Sequence, residues 1–275
     1  MYIPTLVTAR ITAKMKELSV GDVIIMAAMP AGNNEAGIVH AVKQVVVETS
    51  LPVDEWTIQE MYAALMHYHM YTINAGQALV LDAESGATMA SYIFDDQDYP
   101  LETTGRKIKA VDLKYEFELD GESGSPDLLK MVPLTGAWVE AIERCVLFGQ
   151  VGGVSDKREA WRVACAAAQI HARDFDENWL TEANVSIDAY IADNIKRILA
   201  MGISDYNSLM NAFDIGQTSL DHIVCLRQFD DGFALLPVKG GGVFAPYRFC
   251  FDAAIPFGAF EVWARDEEPT GDNAD

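Results

Sequence analysis

The sequence predicts an α+β fold in which helical layers alternate along the chain with antiparallel β segments. Three observations predict it. Residues 18–71 carry three helical segments, each with a start signal and an apolar stripe; the period changes to two after Gln77; and a second helical block is followed by aromatic-rich strands. The organisation that follows has five sections. Residues 1–76 form an N-terminal strand plus a three-helix unit, 77–125 an antiparallel β section, 126–216 a helical section and 217–265 a C-terminal β section, while 266–275 read as a disordered acidic tail.

Residues 2–17 hold Pro4 and then alternating residues such as Ile11, Thr12, Ala13, Lys14 and Met15, which fits one extended strand. Ser19 can cap a first helix whose Val20, Val23, Ile24, Ala27 and Ala28 share a face, and Pro30 ends it. The second helix starts near Asn33, Asn34 and Glu35. Its Ile38, Val39, Val42, Val45 and Val46 face one way, and His40, Lys43 and Gln44 the other. In the third, Thr57 and Glu60 form a capping box ahead of a buried stripe of Ile58, Met61, Tyr62 and Leu65. Asn74, Ala75 and Gly76 supply its C-cap.

Residues 78–81 and 88–94 flank Glu84, Ser85 and Gly86, the pattern of a hairpin, and residues 107–119 alternate as a half-buried antiparallel strand. Residues 120–126 then break it. In the second helical section Trp138, Ile142 and Cys145 share a face, and Ser155 caps a helix with Trp161, Ala164 and Ala168 in a narrow stripe. Ser186 starts a third helix with Ile187, Ile191, Ile195, Ile198 and Leu199 inward. Past Gly202, Ser204 caps a short helix over residues 205–213 bearing Tyr206, Leu209, Met210 and Phe213. Strands over 220–229, 233–239 and 243–251 follow, with turns at Asp230, Asp231 and Gly232 and at Gly240, Gly241 and Gly242.

A chain of 275 residues that is 50% hydrophobic can bury a sizeable core. Its apolar run from Val23 to Met29 stops at Pro30, well short of the ~20 residues that span a bilayer, and its first residues lack a signal-peptide pattern, so cytosolic synthesis is expected. The net charge of −21 disfavours nucleic acid and anionic membranes as partners, because such a chain repels phosphates; a protein with a basic patch fits better. Cys145, Cys165, Cys225 and Cys250 are widely spaced without a Cys-x-x-Cys pair and read as reduced.

The sequence offers several near-misses of chemistry. His67 and His69 would chelate a metal from a strand, but on the expected helix they lie about 200° apart. Asp95, Asp96 and Asp98 precede Tyr99 and Pro100, where a calcium loop requires glycine. Gly149, Gly152, Gly153 and Ser155 lack the lysine of a phosphate loop, and Gly121, Glu122, Ser123 and Gly124 miss the nucleophile elbow by one residue and fall in a turn. The helix pair around Gly202 has helix-turn-helix form, yet its second helix presents Asp205, Tyr206, Asn207, Ser208 and Asn211 with no Arg or Lys to hold phosphates. No catalytic, cofactor-binding or metal residue is assigned, and no cofactor is expected.

In order, these elements resemble a family of tailed-bacteriophage baseplate hub and tail-assembly proteins. The resemblance lies in Glu17-Leu18-Ser19-Val20-Gly21-Asp22 with the paired helices after it, and in the helix opening at Trp56-Thr57-Ile58-Gln59-Glu60. It continues in the helices over 187–201 and 205–213 and the strand carrying Cys225. Members often carry a Cys-x-x-Cys near that strand; here Leu226, Arg227 and Gln228 follow Cys225, so no metal site carries over. The resemblance implies a structural or assembly role in the virion, without enzymatic activity. It also implies several copies in a symmetric assembly and other tail or baseplate proteins as partners. A chaperone variant would leave before maturation. The competing expectation is a soluble enzyme, metal-dependent or nucleophilic, with a site assembled from His171, Asp221, His222 and Cys225. A third is a cytosolic module for a basic partner.

Overall fold

The computed structural model of the chain describes residues 2–30, 32–72, 80–82, 86–94, 110–113, 117–119, 122–124, 129–238, 245–252 and 255–262. Asp95, Asp96 and Asp98, the C-cap at 74–76, the glycines 240–242 and the acidic tail 266–275 lie outside these residues.

The N-terminal segment is a hairpin rather than one strand: β1 (Leu6–Val7) pairs with β2 (Thr12–Met15). Thr8 turns the chain, its hydroxyl oxygen accepting from the amides of Arg10 and Ile11 at 3.3 and 3.0 Å. Two helices follow, α1 (Val20–Ala27) and α2 (Asn34–Val45), and the residues after them form β3 (Val46–Thr49), which completes the antiparallel order β1-β2-β3. Val46, expected on the helical face, begins that strand. The face of α1 also differs from expectation. Val23 and Met26 are buried, whereas Val20 and Ile24 are exposed, because α1 packs against α2 and the last two strands on its Val23–Met26 side.

A 3-10 turn (Val53–Glu55) leads to α3 (Ile58–Thr72). Its capping box forms as the sequence predicts: the Glu60 amide donates to Thr57 Oγ1 at 3.2 Å and the Thr57 amide to Glu60 Oε2 at 2.8 Å. Every residue from Ile58 to Met66 is buried, so α3 is the central helix rather than one with a single stripe. The hairpin β4 (Val80–Asp82) with β5 (Ala87–Thr88) is present, but Met89–Ser91 is a 3-10 turn where strand was expected.

The long alternating segment contributes β6 (Val111–Asp112) and β7 (Phe117–Leu119). Ser123, expected in a turn, lies in β8 (Glu122–Gly124), paired with β7. β9 (Leu129–Met131) stands between β6 and β10 (Ile170–Ala172), a strand entered directly from α5 (Lys157–Gln169). α4 (Gly136–Leu147) precedes α5. The cap of α5 is Asp156, whose carboxylate accepts from the Glu159 amide at 3.2 Å; Ser155 lies one residue too early. After the short α6 (Asn178–Glu182), Ser186 caps α7 (Ile187–Leu199) with Ile191, Ile195 and Ile198 inward, and Leu199 turns outward. α8 (Ile203–Leu220) starts at Gly202 and runs seven residues past Phe213, because Gly216, Gln217 and Leu220 prolong its buried stripe. At Gly216 a Cβ would stand 2.5 Å from Met131 Sδ, so a larger residue there would have to push the Met131 side chain of β9 aside.

Four antiparallel strands close the chain: β11 (Cys225–Phe229), β12 (Gly232–Leu236), β13 (Tyr247–Asp252) and β14 (Ile255–Val262), the last not foreseen. One core cluster draws from Ile3 through Tyr247, with Trp56, Tyr62, Trp161 and Phe213 among its largest members. Helices and antiparallel sheets share that core, which makes the fold α+β.

Candidate interaction surface and the buried polar centres

Among the described residues, two buried polar centres carry titratable groups at helix ends. The first is at the start of α2, where Asn33 makes no side-chain cap. Glu143 of α4 caps the helix from 108 residues away: its two carboxylate oxygens accept from the amides of Glu35 and Ala36 at 2.9 and 3.0 Å. Glu35 is itself fully buried and accepts from the Phe233 amide at 2.9 Å. Burial, and then the charge of Glu143, push the Glu35 carboxyl up to about 8, against the pull of the Phe233 amide, Arg248 and Tyr62. Glu35 is therefore protonated at neutral pH while Glu143 takes the helix N-terminus. Gly232 makes room for it. A Cβ there would stand 2.6 Å from Glu35 Oε1, and its φ of +132° is one that other residues rarely adopt. Arg248 closes the centre, donating to the Asp231 carbonyl and pairing with its carboxylate at 3.5 Å.

The second centre lies between the start of α3 and the end of α8. His222 Nδ1 is 2.9 Å from the Leu220 carbonyl, which requires the proton on Nδ1, so Nε2 accepts from the Thr57 hydroxyl at 3.1 Å. Gln59 Oε1 receives the His222 and Ile223 amides, and Gln59 Nε2 donates to the Leu220 carbonyl. Burial depresses His222 to about 4, so it is neutral. Beside it a cavity of about 30 Å³ has room for a water. A hydroxyl, an imidazole and a carbonyl in line look like a relay to a nucleophile. Thr57, however, is 2% exposed, and its oxygen also caps α3. Glu60 completes the cap and pairs with Arg10 at 2.9 Å, both side chains almost fully buried.

Of the residues suspected of forming an enzyme site, Asp221 and Cys225 meet side chain to side chain, while the His171 and His222 side chains are each engaged by other partners. His171 stacks on Phe175 with centroids 4.2 Å apart, and its Nδ1 lies 2.9 Å from the Tyr190 hydroxyl. Asp221 forms a two-pronged pair with Arg227 at 3.0 and 2.7 Å. Burial and the Asp221 charge push the Cys225 thiol up to about 12, and burial does the same to Cys145, at about 11; neither forms thiolate at neutral pH. His67 and His69 sit on α3 as expected and diverge. His67 Nε2 lies 2.8 Å from the Pro4 carbonyl, and His69 is buried and depressed to about 4. Among the described residues no three His, Cys, Asp or Glu side chains are placed to hold a metal ion. Gly149, Gly152 and Gly153 lie in the α4–α5 loop, and α8 meets its neighbours through Arg162 with Asp214 and Tyr206 with Glu159.

The surface is more telling. On α1, Val20, Ile24 and Ile25 are 76, 63 and 53% exposed, three large apolar side chains on a helix of eight residues. The connection from α1 to α2 passes the end of α4, where a Cβ at Gly32 would touch Leu147 at 3.6 Å and Phe148 is largely exposed. The apolar character of α1 on more than one face is visible in Val20, Val23, Ile24, Ile25 and Met26, and only Val23 and Met26 among these are buried. Ile203 and Ile215 of α8 and Trp179 of α6 are exposed elsewhere. Among the described residues no helix is long and apolar enough to cross a membrane. Neither a protein-family model nor a curated protein nor a solved structure matches the chain.

Proposed function

We propose that this protein is a structural or assembly component of a phage tail or baseplate, made in the host cytoplasm and built into the particle through lasting contacts with other tail or baseplate proteins. The observation that carries the reading is the outer face of α1. Covering Val20, Ile24 and Ile25 would contribute roughly 1.5 to 3 kcal/mol per side chain, and nothing in the described protein covers them. The interior supports it too, since the buried titratable groups cap helices, pair charges and fix tautomers within the fold. With a net charge of −21, a partner with an apolar centre and a basic rim fits this surface best.

Mass spectrometry of purified particles and of tail intermediates tests the reading. The protein is expected in both, at a fixed ratio to the other tail proteins. Presence in intermediates alone would make it an assembly chaperone, and absence from both would overturn the proposal.

A further inference from the structure

Further along α3, on the face that carries Gln59, a cavity of about 270 Å³ opens between β1, the second half of α3 and the 3-10 turn at Met89–Ser91. Leu6, Ala63, Met66, Met89 and Ile223 form its buried floor, and Val7 and the exposed Ala90 flank its mouth. Among the described residues the lining contains neither a carboxylate nor a lysine or arginine. Its His67 has Nε2 bonded to the Pro4 carbonyl and its ring against Tyr71. Among the described lining residues the one hydroxyl is that of Thr8, whose oxygen already receives the Arg10 and Ile11 amides, so what it has left to offer is its hydrogen.

Water is poorly held in such a place, because it needs two to four polar partners. A charged ligand would lose its hydration without finding a counter-charge. An apolar cavity of ~150 Å³ accepts benzene, so this one has room for about ten heavy atoms. Three methionines, Met66, Met70 and Met89, line it, and their flexible thioethers adapt to the shape of an apolar guest. We propose that this cavity is a binding site for a neutral, mainly apolar small molecule of about ten heavy atoms with one oxygen acceptor, such as a medium-chain ketone, aldehyde, ester or alcohol. The Thr8 hydroxyl donates to that oxygen and the methionine-lined floor takes the chain. The inference is independent of the assembly reading, since it rests on the cavity alone.

Calorimetric titration of the full chain with 2-nonanone, butylbenzene and nonanoate tests it. Both neutral probes are expected to bind saturably and nonanoate at least about tenfold more weakly. Ala90→Trp closes the mouth from the surface without entering the core and is expected to weaken both neutral probes about tenfold or more, the worth of two buried methylenes; Ala63→Leu, which fills the floor, should do the same. Thr8→Val should weaken 2-nonanone roughly 2- to 10-fold and leave butylbenzene unchanged, with Thr8→Ser restoring the ketone. No saturable binding of either neutral probe to folded protein, nonanoate binding as tightly as the ketone, or undiminished binding in Ala90→Trp would each overturn the proposal.

Discussion

Helices α1 and α3 open with the same device and end in opposite environments. Each starts with a hydroxyl residue whose oxygen accepts the amide three residues on, and each has a carboxylate that reaches back to the cap amide: Ser19 with Asp22, and Thr57 with Glu60. Around α1 the box faces solvent, and the Ser19 hydroxyl and amide hold the Asp22 carboxyl below its ordinary value. Around α3 it is buried. Burial raises the Glu60 carboxyl, and Arg10 and the Thr57 groups only partly offset it. One local motif thus serves as an end-stop on a helix with two buried residues, and as a node joining the β1–β2 turn, α3 and the α8–β11 connection on a helix buried nearly all round. Sequence specifies the hydrogen bonds of a cap; the number of elements that meet there decides what the cap is worth.

The sharpest break of this contrast is Arg10→Ala. It leaves Glu60 buried beside α3 without its counter-charge, and urea unfolding at neutral pH is expected to show a loss of roughly 3 to 5 kcal/mol. Adding Glu60→Gln should recover much of that, because an amide tolerates the site without a cation. A variant as stable as the parent would mean that Glu60 takes up a proton at little cost.

Next in size is the pH dependence set by Glu35, which faces Tyr62 of α3, Glu143 of α4, Arg248 of β13 and Cys165 of α5. Its carboxyl stands near 8 in the folded protein against an ordinary 4.5. Between those values the folded state keeps a proton that the unfolded chain has lost. Its contribution is therefore complete below about pH 4.5 and disappears as pH rises toward 8, a change on the order of a few kcal/mol. Glu35→Gln keeps the acceptor for the Phe233 amide and removes the titration. Denaturation at pH 5 and pH 8.5 should show the parent losing stability on the alkaline side and the variant losing much less. No equivalent exists on α1, where Asp22 shifts the other way.

The fold class was legible because period and caps are local. Ser19, Thr57 and Ser186 each cap the helix expected of them, and the turn at Asp230 and Asp231 joins two strands as read. What could not be read depends on partners distant in the chain. Val23 turns inward as read, but Met26 joins it there instead of Val20 and Ile24, because strands more than two hundred residues later cover that side. Glu35 looked like an ordinary first-turn acid, and only the approach of Glu143 and Gly232 buries it. The strand Ile170–Ala172 was hidden because its residues continue a helical stripe until β9 pairs with them. At the surface, a helix as short as α1 that is apolar on two sides leaves Val20, Ile24 and Ile25 exposed once Val23 and Met26 are buried.

Truncating the two caps compares the helices directly. Thr57→Ala removes the α3 cap, worth about 1 kcal/mol, and also the hydroxyl that His222 Nε2 accepts from deep in the core, so the expected total is roughly 2 to 4 kcal/mol. Ser19→Ala should cost about 1 kcal/mol or less. Equal losses from the same denaturation series would show that burial around Thr57 adds nothing to the cap.

The smallest expected effect on stability carries the most about function. Ile24→Lys places a charge on the outer face of α1, where the side chain is 63% exposed and helix formation is unaffected, so unfolding should move by no more than about 0.5 kcal/mol. If that face is covered in a particle, the same change buries an unpaired ammonium at an interface, and incorporation should fall sharply while the free protein stays folded. Complementation with the variant, followed by its quantity in purified particles against circular dichroism of the isolated chain, separates the two effects. Normal incorporation of Ile24→Lys would remove α1 as the assembly surface and leave its exposed isoleucines without a role, whereas loss of incorporation with an unchanged spectrum would distinguish a helix made for contact from α3, a helix made for the core.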